Sequence, residues 1–220
     1  MVMTFTQRLL STLAGLDSTF HPDELAYLAA TSKVEGPIRD RLAYELHRKI
    51  EPSSLVHREW RDPKKNGWID IAITDETNHP RCLIEMKAHS GATFEAGYSE
   101  KIGKDLVKLY KAAEDDTELY EIFLFNHLYF QTALDPKYEN VIKYFALQKH
   151  ASRMNSFAID VSNYTKAHWE RHLTNNQLSL AKTHPGIRMI GGNYQEMPVA
   201  VHVYVVGPFN KTDLLPLSPA

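Results

Sequence analysis

Residues 68–88, WIDIAITDETNHPRCLIEMKA, constrain this chain more than any other stretch. Two short runs of apolar, β-branched and aromatic residues, WIDIAIT (68–74) and CLIEMKA (82–88), flank a cluster of turn-forming residues that includes Asn78-His79-Pro80. Runs of that length and composition read as paired strands of a hairpin. Three charges interrupt them: Asp70 in the first run, Glu85 and Lys87 in the second. Charge on a buried or half-buried strand is costly unless it is paired or binds a metal. These residues therefore either sit on a solvated face or form a site.

Side chains on a strand alternate between faces, so Asp70 is expected beside Trp68, Ala72 and Thr74, and Glu85 and Lys87 beside Leu83. A turn centred near residues 78–79 would set Asp70 across from Lys87, with Glu85 on the diagonal at about 5–8 Å. Two carboxylates that close repel unless a cation lies between them or one is protonated. A divalent ion resolves the conflict, since Mg²⁺ takes one or two carboxylates together with waters and a phosphate. A neighbouring lysine would then orient or deprotonate a water, or stabilise charge developing on a phosphate. The hairpin thus points to metal-assisted hydrolysis of a phosphodiester. The competing reading is a wet face of an antiparallel sheet carrying solubilising pairs.

The rest of the chain reads as mixed α/β. Helical patterns fall near residues 5–15 and 22–30, with a longer one around 34–49 in which Ile38, Leu42 and Leu46 lie four apart. Its start is ambiguous between a Ser32-x-x-Glu35 capping box and a first helical position at Pro37. VHREW (56–60) reads as a strand, and a turn from Asp62 to Gly67 joins it to the hairpin. A helix near 99–114, a strand EIFLFNHLYF (121–130) and a helix opened by Asp135-Pro136 follow. Beyond these come a strand SFAIDV (156–161), a helix around 164–173 and a strand PVAVHVYVV (198–206), ending in a loose tail, DLLPLSPA. The 220 residues are read as one domain, with a core at about 30–130, an elaboration at 131–210 and a tail at 211–220.

The order helix, three strands, helix, strand over roughly 30–130, together with Asp70 in WIDIAI and Glu85-Met86-Lys87 in LIEMKA, resembles the PD-(D/E)xK nuclease superfamily, the restriction-endonuclease-like fold. The resemblance implies that core, a helix, a three-stranded antiparallel meander, a helix and a strand, in a mixed sheet flanked by helices. It also implies a metal-dependent endonuclease acting on DNA with Mg²⁺, or Mn²⁺ in its place. Asp70, Glu85 and the Met86 backbone carbonyl would hold the metal, Lys87 would position the attacking water, and Glu35 in VEGPIRDRL would be an auxiliary acid. Ile69 stands where the motif has proline. The Gln-x-x-x-Tyr of recombination-type members is missing, Asp105 and Tyr110 being wrongly spaced for it. A non-cleaving member that binds nucleic acid or protein is the alternative. A homodimer is compatible with the resemblance.

The formal charge of −2 gives no global attraction to a polyanion, so a nucleic-acid partner must meet a local patch. Lys101, Lys104, Lys108 and Lys111 repeat at spacings of three, four and three, one stripe on a helix. Arg58, Lys64 and Lys65 cluster before Asp70, with Arg61 among them. Both groups are expected to meet phosphates, although for the stripe taken alone a solvated helix face with Glu100 and Asp105 as local partners is the favoured reading. The single cysteine excludes an internal disulfide and suits a reducing compartment. No stretch is long and apolar enough to span a membrane, and LLSTLAGL (9–16) reads as an amphipathic first helix, so a cytoplasmic location is expected. His168-Trp-Glu-Arg-His172 has its glutamate in the wrong place for H-E-x-x-H, and Gly191-Gly192-Asn193 reads as a turn.

Overall fold

A computed structural model describes residues 3–64, 67–90, 98–128, 137, 141–142, 170–171, 174 and 182–217. Three helices come first: α1 (Phe5–Ala14), α2 (Glu24–Thr31) and α3 (Glu35–His47). Strands β1 (Ser54–Arg61), β2 (Trp68–Asp75) and β3 (Pro80–Ser90) follow, then α4 (Tyr98–Ala112) and β4 (Glu118–Leu128). The last strands are β5 (Ile187–Tyr194) and β6 (Met197–Phe209), and a 3-10 helix covers Lys211–Leu217. The chain is mixed α/β with a six-stranded mixed sheet in the order β1-β2-β3-β4-β6-β5. β1, β2 and β3 form an antiparallel meander, β4 lies parallel to β3, and the β5–β6 hairpin closes the other side antiparallel to β4.

The sheet separates two cores. On one face Leu9, Leu13, Leu25, Ile38, Leu42 and Leu46 of the first three helices pack on Ile71, Ile84, Met86, Ile122 and Val203. On the other, Ile102, Leu106 and Leu109 of α4 pack on Leu83, Phe123, Phe125, Tyr204 and Phe209. β4 is covered on both sides, which is why EIFLFNHL is apolar almost without alternation. The helix at α3 begins at Glu35 behind Val34, which makes no side-chain cap, so the Ser32 capping box does not form. Pro37 sits within the first turn, where its missing N–H costs nothing.

Two expectations near the C-terminus are corrected. Gly191-Gly192-Asn193 lies inside β5 at a bulge, not in a free turn. A side chain at Gly191 would come within 2.9 Å of the Val199 carbonyl oxygen, and Gly192 has φ +93 against Asp23. The glycines are there because α2 packs its N-terminus on the strand. The expected loose tail instead starts with the 3-10 helix, whose Leu214 is fully buried. The strand expected at 156–161, most of the helices expected at 135–150 and 164–173, and His168 and His172 lie outside the described residues. Among the described residues no helix is long and apolar enough to cross a membrane.

Candidate functional site

The β2–β3 ladder begins at Thr74↔Pro80, shifts by one residue, and then runs from Ile73↔Cys82 to Ile71↔Ile84, and one further step sets Asp70 opposite Glu85. There the backbone pairing gives way to the two side chains. The Asp70 amide donates to Glu85 Oε1 at 3.3 Å, and the Met86 amide donates to Asp70 Oδ2 at 2.8 Å. Each carboxylate thus caps an amide of the facing strand where the ladder opens. The expected pairing of Asp70 with Lys87 is two residues off. The cause is a tighter turn, three residues short of the expected register, and a one-residue bulge on β3 between Pro80 and Cys82 that restores one. In the turn the Asn78 amide donates to the Asp75 carbonyl, and the Asp75 carboxylate accepts from the amides of Thr77 and His79. A shift of two preserves the face each residue points to, so the acids still meet. Strict alternation nonetheless slips at Asp70. Ile71 joins the first core whereas Ile69 joins the second, beside a β1 residue, Glu59, with φ +48.

Glu35 reaches β3 from the first turn of α3, where Oε2 accepts the Ala88 amide at 2.9 Å. Arg39, one turn further along α3, lies 3.5 Å from Asp70 Oδ1 and 2.9 Å from Glu59 Oε1. Glu45, further along the same helix, pairs instead with Arg48 and Lys49. Two residues of α4 complete the group. Asp105 Oδ2 holds Lys87 Nζ at 2.9 Å, and Lys108 Nζ lies 2.7 Å from Glu85 Oε2 and donates to the Trp68 carbonyl at 2.9 Å. Lys108 therefore turns inward from the expected stripe, while Lys101, Lys104 and Lys111 are exposed. The 3.6-residue turn brings position 108 close enough to the 102–106–109 core line for a long side chain to reach the sheet.

Glu121 of β4 pairs in register with Glu85 and is only 3% exposed; its Oε2 accepts no hydrogen bond. Burial, then the charges of Asp105 and Glu85, hold its carboxyl well above the usual range. Burial and the neighbouring Asp70 charge push Glu85 up to about 8, against the pull of Lys108. For Lys87, burial favours the neutral amine, but the charge and hydrogen bond of Asp105 outweigh it and raise its pKa. The site thus carries more acid than base. In the absence of a bound cation the two most buried acids relieve that excess by holding protons.

Asp105, Glu121 and Arg39 were not singled out from the sequence as site residues, though each leaves a trace there. Asp105 breaks the buried α4 line at the position three after Ile102. Glu121 is the one acid in EIFLFNHL, and Arg39 falls four after Glu35. Among the expected phosphate contacts, Arg58 pairs with Asp40 at 3.0 Å and Lys64 with Glu114 at 2.7 Å. Lys65 lies outside the described residues. Among the described residues, no three His, Cys, Asp or Glu side chains form a ready-made metal cage. No family model, no curated protein and no solved structure matches the chain.

Proposed function

We propose that the chain is a divalent-metal-dependent nuclease that hydrolyses DNA phosphodiester bonds, with a restriction-endonuclease-like core formed by α3, β1–β3, α4 and β4. The observation that carries this reading is the meeting of Asp70, Glu85 and Glu35 around β3 where its ladder with β2 opens, with Lys87 beside them. The donor set fits Mg²⁺, or Mn²⁺ in its place. Asp70, Glu85 and the Met86 carbonyl would hold it, a hard-oxygen set that leaves room for waters and a phosphate and needs no protein-only cage. When bound, the ion supplies charge to the phosphate and lowers the pKa of a water. The excess of acid in the site favours it electrostatically.

Lys87 stays protonated beside Asp105, so it acts as a donor and a charge rather than as a base. From that position it orients a water or a phosphate oxygen and offsets negative charge as it develops. Glu35 ties α3 to β3 and keeps an acid at the edge of the group. Trp68, exposed and two residues before Asp70, offers a flat face for a base, with the Arg61 guanidinium 5.8 Å from its ring centre. Lys101, Lys104 and Lys111 supply exposed positive charge along α4 for the phosphate backbone.

The test is incubation of the purified protein with linear, circular and single-stranded DNA in Mg²⁺, in Mn²⁺ and in chelator. Cutting is expected only with metal. Asp70→Ala, Glu85→Ala and Lys87→Ala are each expected to lose at least about a hundredfold in rate while keeping their fold by circular dichroism. Activity that survives in chelator or in Asp70→Ala would sink the mechanism. Metal uptake and DNA binding without cutting would favour a non-cleaving, nucleic-acid-binding protein.

A further inference from the structure

The Lys108 ammonium stands among three oxygens. Glu85 Oε2 lies at 2.7 Å, the Trp68 carbonyl at 2.9 Å and Asp105 Oδ1 at 3.8 Å. One of the three belongs to a side chain assigned above to the metal, and Glu85 is 2% exposed, so its second oxygen is spent on this lysine. The stem of Lys108 is itself packed, its Cδ lying 3.4 Å from where a side chain at Gly67 would begin, at the end of the β1–β2 loop. This is a held ammonium, not a loose surface pair: the Lys108 side chain is 23% exposed and that of Glu85 2%, and a half-buried pair is screened less than an exposed one. We infer that Lys108 is the resident cation of the site, competing with the divalent ion for Glu85 and giving way when that ion binds.

The inference rests on the metal-site reading above and adds its control. A divalent ion held by Glu85 and an ammonium 2.7 Å from the same carboxylate would repel each other, so loading the site would weaken the hold on Lys108 and displace it. Its place in the three, four, three spacing returns it to the line of Lys101, Lys104 and Lys111. Cation binding would then add a phosphate-binding charge to the exposed face of α4 at the moment the site becomes competent.

The experiment measures Mn²⁺ affinity directly, by electron paramagnetic resonance of free Mn²⁺ and by calorimetry, without substrate. Wild type is compared with Lys108→Met, Lys108→Gln, Glu85→Gln and Lys101→Met. Lys108→Met is expected to bind Mn²⁺ about ten- to a hundredfold more tightly than wild type, the range set by a charged hydrogen bond. Lys108→Gln, which keeps a donor without the charge, is expected to move in the same direction and serves if the methionine variant fails to fold. Lys101→Met removes the same charge from an exposed position of the same helix and is expected to stay near wild type. Equal or weaker binding in both Lys108 variants, or an equal gain in Lys101→Met, would overturn the exchange while leaving the metal site standing. Failure of every protein to bind Mn²⁺, or unchanged binding in Glu85→Gln, would overturn the metal site and the exchange with it.

Discussion

Asp105 shows how a residue far from Glu85 and Lys87 in sequence sets the chemistry expected of them. It is 9% exposed, and one oxygen holds Lys87 at 2.9 Å. Without it, burial would favour the neutral amine, and the lysine would lose both its aim and its charge. Asp105 is on this argument a positioning residue. Asp105→Asn, nearly isosteric, is expected to lower the turnover rate by about tenfold to a hundredfold with Mn²⁺ affinity within about threefold of wild type. Single-turnover cleavage beside calorimetry would check this. Loss of metal affinity equal to the loss of rate would instead make Asp105 a ligand or a purely structural acid.

Among the elements, α4 and β5 are the two that decide how the sheet is covered. The inward line of α4, Ile102, Leu106, Leu109 and Ala112, is fully or almost fully buried against β3 and β4. Truncating Leu106 leaves a cavity that the packed sheet cannot close. Leu106→Ala is expected to cost about 2–5 kcal/mol, measured by denaturant unfolding. On the opposite face, β5 accepts α2 only through its glycine pair. The Asn193 amide donates to Asp23 Oδ1 at 2.7 Å across the same contact. Gly191→Ala puts a methyl within 2.9 Å of the Val199 carbonyl oxygen and 3.3 Å of the Ala26 nitrogen, backbone atoms that cannot turn aside. About 1–3 kcal/mol of destabilisation is expected by the same measurement. A neutral result would mean that β5 and α2 are free to part.

At the scale of the whole molecule, stability depends on pH through groups remote from the candidate site as well. His127 of β4 and His202 of β6 meet edge to face with ring centres 4.4 Å apart. Burial, then the charge of its neighbours, lowers His127 to about 3; burial, then Arg188, lowers His202 to about 4. Both are neutral when folded, whereas an unfolded histidine takes up a proton below about 6.5. The unfolded chain therefore binds more protons between about pH 6.5 and 4, and these histidines withdraw stability as the pH falls through that range. Glu85 and Glu121, protonated when folded, have the opposite sign in part of the same window. The difference between wild type and His127→Gln therefore carries the test rather than either curve alone. Thermal melts from pH 8 to pH 4 should show a smaller acid-side loss in the variant. Parallel curves would place an ionised histidine inside the fold.

The meander, the helix after it, the strand EIFLFNHL and the meeting of Asp70 with Glu85 were all legible in the sequence. Each rests on local periodicity, and a register error of two residues leaves the facing side chains on the same face. Glu35 was legible only through the resemblance, since a first-turn glutamate equally serves its own helix. The sequence could not tell that Lys108 leaves its stripe for Glu85, that Asp105 holds Lys87, or that Gly191 and Gly192 belong to a strand. Those outcomes depend on which element packs on which. A lysine stem long enough to reach either solvent or sheet is settled by the acid waiting beneath α4. A glycine pair that reads locally as a turn becomes a strand once α2 requires close approach. Spacing along the chain determined what the elements are; burial and charge across them decided what their side chains do.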